Sequence, residues 1–314
     1  MSNESLAQVR TLLRASDPVA ALEIGSSALA RARKNFGDTH AQSAIAAIAV
    51  GEIELAAGRL PDAITHFESA VRVLSKGRAD DRALLADALD GLGLAHAAKG
   101  NSAAAESAYC KAVEVREKDL GPDHPLVALA LERLAKFYGD GHFEDARAEP
   151  LLRRAVDILA AHRSHHDDWS RTLSALARSL LRRGAHAEAE ALLRGHIKLE
   201  RTLHGVESTN AIAPLHEFTL SVIGRGDFER GERLFVESME LLGAETAPNE
   251  RSLRFETDVA DTYRQMGEVQ RALGHYRCAL VGRRLISSTD DLEMAMLTTR
   301  IEELARPATS AFGP

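Results

Sequence analysis

The chain has 314 residues, of which 45% are apolar, 27% charged and 4% aromatic, with a formal net charge of −7. This is a globular, helix-favouring composition, neither disordered nor collagen-like, and it offers no global polycation for a nucleic-acid backbone. The longest apolar stretch, Ala44 to Val50, is followed at once by Glu52 and Glu54. That is far short of the ~20 residues a membrane span needs.

From the N-terminus, Met1-Ser2-Asn3-Glu4-Ser5 is polar, so no signal peptide is expected, and with only Cys110 and Cys278 there is no disulfide framework. The expected location is cytoplasmic. The first unit is weak: Leu6, Val9, Leu12 and Leu13 precede a turn at Ser16-Asp17-Pro18. Further turns are predicted at Gly58, Gly100, Gly141, Gly184, Gly226 and Gly267, at steps of 42 residues or close to it. On either side the apolar residues recur at three- and four-residue spacing, which predicts a helix before and after each turn.

The positions around the turns repeat as well. Five residues after them stand Ala21, Ala63, Ala105, Ala189, Gly231 and Ala272, and nine after most of them Phe67, Tyr109, Leu193, Phe235 and Tyr276. Twelve after, Ala28, Ala70, Ala112, Ser238 and Ala279 are small, with His196 the exception; seven before lie Gly51, Gly93, Ala177 and Ala260, with Ala135 filling the role in the fourth unit. Small residues let two antiparallel helices approach, and bulky ones fill the space to the next pair. One pair alone could not bury its apolar face, so the pairs must stack. In the fourth unit the turn carries roughly one extra residue, and Ala148 takes the small position.

This small–large–small pattern resembles the tetratricopeptide repeat. The 42-residue period and the linkers Phe36-Gly37-Asp38-Thr39-His40, Leu120-Gly121-Pro122-Asp123-His124 and Leu203-His204-Gly205 make it similar to the kinesin-light-chain variety. HEAT and armadillo arrays share the period, but they do not need a small residue in both helices. The resemblance implies an all-α, right-handed α-solenoid of about seven repeats over residues 1–305. A capping helix is expected at about 290–305, through Leu292, Met296, Leu297, Ile301 and Leu304, and a loose tail at 306–314. It implies a non-enzymatic scaffold or adaptor that binds a protein or peptide segment in a concave groove, without a cofactor.

Counting outward from the packing positions, the groove residues are Asp87, Asp90 and Leu94 in the third unit, and Glu132, Arg133 and Lys136 in the fourth. Arg171, Ser174, Arg178, Leu181 and Arg182 follow in the fifth, and His216, Glu217, Leu220 and Ile223 in the sixth. The seventh offers Arg254, Thr257, Asp258, Asp261 and Arg264. Arg133, Lys136, Arg171, Arg178 and Arg182 form a basic centre suited to carboxylates or an acidic peptide. The competing reading is a solvated face whose arginines are neutralised by Glu132, Asp168 or other acids. A regulatory sensor that changes shape on binding a signalling peptide or small anion is the alternative function. Self-association through Met294-Ala295-Met296-Leu297 is a further expectation.

Two strings look like chemistry. His165-His166-Asp167-Asp168, with His162 a turn earlier, has metal-ligating residue types and would serve a metal-dependent enzyme; it also sits where a helix N-cap is expected. Gly91-Leu92-Gly93 begins like a dinucleotide fingerprint but lies within a helical pattern, without the strand such a loop needs. His40 and His124 recur at equivalent linker positions, which marks them as structural.

Overall fold

A computed structural model describes residues 18–78, 81–140, 145–205, 211–243, 247–286 and 292–305. Fourteen α-helices make up this part: α1 (Pro18–Phe36), α2 (Ala41–Ala56), α3 (Leu60–Leu74), α4 (Arg82–Ala98), α5 (Ser102–Leu120), α6 (Pro125–Asp140), α7 (Ala148–Ala160), α8 (His166–Arg182), α9 (His186–His204), α10 (Ile212–Gly224), α11 (Phe228–Leu241), α12 (Glu250–Gln265), α13 (Val269–Ile286) and α14 (Leu292–Ala305). The turns expected at Ser16 and Gly141, the first helix of the first unit and the tail at 306–314 lie outside the described residues.

The chain divides into two compact units, residues 1–172 and 173–314. Each is a stack of antiparallel helix pairs, the all-α solenoid arrangement. In the first unit α2 pairs with α3, α4 with α5 and α6 with α7, and α2 also touches α4. In the second, α10 pairs with α11 and α12 with α13; α10 also touches α12, and α14 closes the stack on α13. We call the helix before each turn the A helix (α2, α4, α6, α8, α10, α12) and the one after it the B helix.

The expected turns at Gly58, Gly100, Gly184, Gly226 and Gly267 all have positive φ, between 72° and 84°. Glycine enters this region without the steric cost a Cβ brings. A second set, Gly37, Gly121 and Gly205, has φ of 86–91° at the ends of α1, α5 and α9, 84 residues apart, where the chain leaves one repeat for the next.

The repeat code is realised as packing. Ala21, Ala63, Ala105, Ala189 and Ala272 are fully buried, as are Phe67, Leu193 and Tyr276. A Cβ on Gly51 would come within 3.0 Å of the Phe67 ring, and one on Gly93 within 2.9 Å of the Tyr109 ring. The glycines of α4 that resemble a nucleotide loop therefore exist to admit aromatic rings from B helices. In the capping helix, Leu297 is buried and Ile301 and Leu304 pack against the core of the last pair, whereas Leu292 and Met296 are exposed.

The linker histidines are caps. His40 Nδ1 accepts from the Gln42 amide at 3.1 Å, and His124 Nδ1 accepts from the Leu126 amide at 3.2 Å. The same cap thus opens α2 and α6, satisfying an amide that the helix leaves without a partner.

Candidate functional site

From α4 onward, side-chain contacts about one repeat apart in sequence tie A helices to their neighbours, four through an arginine and one through a histidine. In the first unit Arg133 of α6 pairs with Asp90 of α4. Arg171, at the start of α8, makes a two-pronged contact with Glu132 of α6, Nε to Oε1 at 3.0 Å and Nη2 to Oε2 at 3.2 Å. It also reaches Asp168 at 3.0 Å. The Glu132 hydrogen bond is the main cause of a raised Arg171 pKa. In the second unit Arg178 of α8 lies 2.8 Å from Glu217 of α10, His216 of α10 lies 3.2 Å from Asp258 of α12, and Arg300 of α14 lies 3.0 Å from Asp261 of α12.

Asp90 is the most committed of these carboxylates. It is buried, and besides Arg133 it accepts from the buried Arg116 at 2.7 Å. Its negative charge adds to burial in raising the neighbouring Tyr109 hydroxyl to about 12. At the other end of the chain, burial and then a hydrogen bond to Asp261 raise Tyr276 to about 12.

The expected groove residues separate into three kinds. Arg133, Arg171, Arg178 and Arg264 are exposed but already hold carboxylates, Arg264 through Asp261 at 3.4 Å. Arg182 is exposed on the same stripe of α8 and also has an interaction of its own. Lys136 is exposed without an ion pair among the described residues, and Leu220 is half-buried. Ser174 is buried, with no hydrogen-bond partner for its hydroxyl, and His216 packs on the Phe255 ring at 4.1 Å. Ile223 is not a groove residue: it is fully buried against Gly231, whose missing side chain makes room for it.

The histidine–aspartate string is built into helix starts. A short 3-10 turn, Arg163–His165, leads into α8, so Asp167 and Asp168 fall in its first turn, where the helix dipole favours acids. His165 Nδ1 lies 3.1 Å from Asp168 Oδ2, and His166 stacks on Trp169. His162 contacts its own helix at the Ile158 carbonyl, 2.8 Å away. These contacts do not aim the four side chains at a common point.

One open cleft lies on the A-helix side of the second unit. It measures about 540 Å³ between α12 and α14. Leu253, Met296 and Leu297 supply its apolar lining, and Asp258, Asp261, Arg300, Glu250 and Glu293 its polar wall, the last two paired with Arg283. Arg251 and Arg254 stand at its edge, exposed, and make no ion pair among the described residues. Arg251 and Arg300 escaped the sequence reading, and Met296 was expected in the cap and in a self-association face but not in this cleft. The apolar stripe of α14 marked it as a cap, but the partner helix it opens onto is not written in that stripe.

Stacked helix pairs with a small–large–small code and glycine turns define the class of α-helical repeat proteins. The tetratricopeptide-repeat family profile matches residues 5–76, 47–118 and 84–159. Residues 5–159 thus belong to the tetratricopeptide-repeat family, and the second unit repeats the same helix-pair packing. No curated protein matches the sequence. Among solved structures, the chain is similar to a putative kinesin light chain of Podosopora anserina with TPR-like repeats (17% identity, TM-score 0.47, 77% of this chain and 95% of that one). It is also similar to BtubC (BKLC) from P. vanneervenii (14%, TM-score 0.59, 73% and 92%) and to the apo form of RapI (14%, TM-score 0.62, 89% and 96%). At these identities the likeness is one of fold. Among the described residues, no helix is long and apolar enough to cross a membrane.

Proposed function

We propose that the chain is a non-enzymatic scaffold that holds a segment of another protein on its A-helix side. The observation that carries this is the α12–α14 cleft, where two arginines without ion pairs among the described residues, Arg251 and Arg254, flank an apolar lining of Leu253, Met296 and Leu297. Free guanidinium groups beside apolar surface suit a polypeptide with a carboxylate next to a bulky side chain. An exposed Met296 over the buried Leu253 and Leu297 gives the cleft an apolar floor, which fits partner binding better than a solvated face.

The paired arginines take a secondary part in this reading. A ligand carboxylate at Arg133, Arg171 or Arg178 must compete with Asp90, Glu132 or Glu217, so these positions orient the ligand and add little affinity. Lys136 in the first unit and Leu220 in the second extend the contact surface of their own units. The test is capture of partner proteins from native lysate by the tagged full chain, comparing wild type with the Arg251→Glu, Arg254→Glu double variant. Neither arginine is an internal packing residue, so the variant folds. A partner retained by wild type and lost by the variant supports the cleft, and equal retention removes it.

A further inference from the structure

A second cleft, on the B-helix side of the second unit, has chemistry of its own and does not depend on the reading above. It measures about 450 Å³ and lies between α9 and α11, with α10 beneath. Its floor is apolar: Ile197, Leu215 and Phe218 are buried and Leu234 half-buried. Its α9 edge carries Arg194, Lys198 and Arg201, which follow one another at helical spacing along one stripe.

The charge balance at this cleft opposes that of the whole protein. Arg194, Arg225 and Arg230 all surround the buried Glu190, at 3.0, 2.5 and 3.7 Å, and Arg201 pairs with Glu237. Five cations thus line or brace the cleft against two carboxylates, in a chain of net charge −7. Lys198 is exposed and has no ion pair among the described residues. Buried Arg201 Nε has no hydrogen-bond partner. The Arg194 and Arg230 guanidiniums lie 5.6 and 5.0 Å from the centre of the Phe218 ring, which fixes positive charge over the floor.

We propose that this cleft docks an acidic amphipathic segment of a partner protein, with Leu or Phe side chains in the Ile197–Phe218 floor and Asp or Glu side chains against Lys198 and Arg201. An apolar floor alone would accept any hydrophobic segment; the cationic edge selects an acidic one, through complementary charge. A basic segment would meet three lining cations, Arg194, Lys198 and Arg201, against one lining carboxylate, Glu237. The volume falls within the ~300–1,000 Å³ range of ligand pockets and suits bulky side chains inserted from an edge.

The experiment uses the full chain and a fluorescein-labelled helical peptide of about three turns, with Leu at i, i+3 and i+7, flanking Glu residues, and a photo-crosslinking leucine at the centre. Two analogues replace every Glu by Lys, or every Leu by Ala. We expect anisotropy to show saturable binding of the acidic peptide, weakened about fivefold or more in Lys198→Glu and unchanged in Lys99→Glu, at an exposed residue that lines neither cleft, with photo-adducts on α9, α10 or α11. Both analogues bind more weakly than the parent. The proposal is overturned by absence of binding, by equal affinity of wild type and Lys198→Glu, or by an analogue as tight as the parent. Adducts confined to α12 and α14 also overturn it, and assign the peptide to the A-helix cleft instead. Because Lys198 is exposed and pairs with nothing described, its reversal leaves the fold intact, which the circular dichroism of the variant verifies.

Discussion

Gly91 of α4 faces the ring of Phe67 from the preceding B helix so closely that a Cβ at position 91 would lie 2.6 Å from Phe67 Cζ. Phe67 is fully buried, so the ring has nowhere to retreat. This one contact joins two successive repeats, and it sets two effects against each other. Alanine in place of a mid-helix glycine gains about 1 kcal/mol of helix propensity, while overpacking a rigid core costs about 1–3 kcal/mol. The second should win, so Gly91→Ala destabilises the protein. In a Phe67→Leu background the clash is relieved and the same substitution becomes neutral or stabilising. Urea melts of the four proteins, followed by helical circular dichroism, read this coupling. Additive effects would show that the ring does not set the spacing of the repeats.

Removing the partners of the Asp90 cluster should have unequal consequences. Asp90→Ala leaves the Arg116 guanidinium buried with only the exposed Asp87, 3.0 Å away, to balance it. That should cost about 3–5 kcal/mol, the scale for breaking a buried pair from one side. Arg133→Ala removes a half-exposed partner and should cost less than about 1 kcal/mol. Equal losses in denaturant melts would mean that Arg133, not Arg116, is what anchors Asp90.

His275 of α13 carries a pH-dependent share of the stability. Burial opposes its charge, but hydrogen bonds to Glu256 at 2.7 Å and Glu232 at 3.5 Å, with their negative charges, outweigh burial and raise it to about 9. The imidazole therefore binds its proton more tightly folded than unfolded, where the pKa is near 6.5. Its contribution is fully present below about pH 6.5 and is lost as pH rises to about 9. The loss should be of the order of a few kcal/mol and should vanish in His275→Gln. Glu232 is held below the ordinary carboxylate range, mainly by the His275 hydrogen bond, so its own contribution is lost on acidification instead. Parallel pH profiles of wild type and His275→Gln between pH 6.5 and 9 would contradict this assignment.

His40→Ala and His124→Ala should each cost about 0.5–2 kcal/mol, the scale of a lost N-cap, and by similar amounts. Thermal melts of the two variants check this. A large effect at one site with none at the other would show that the shared geometry conceals different roles.

The fold was legible because its signals are local and repeated. The glycine turns, the buried alanines at the small positions and the rings of Phe67, Tyr109 and Tyr276 each declare their place through distance from a turn. The candidate surfaces were legible only in part. Helical spacing shows that Arg171 and Arg178 share the exposed stripe of α8, but their partners, Glu132 and Glu217, lie 39 residues away, and no local rule chooses which carboxylate they meet. Ile223 shows the same limit in reverse. Its angular position suggested the groove, and only the space left by Gly231, on the next helix, explains why it turns inward. The α12–α14 cleft depends on where the last helix lands, which its apolar stripe does not specify.

The most direct test of the account is hydrogen exchange on the full chain, alone and in complex with a partner captured through it. The account predicts slower exchange on binding at exposed A-helix positions, foremost the first turns of α12 around Arg251 and Arg254 and the face of α14 around Met296. Protection confined to surfaces other than the α12–α14 cleft would contradict it.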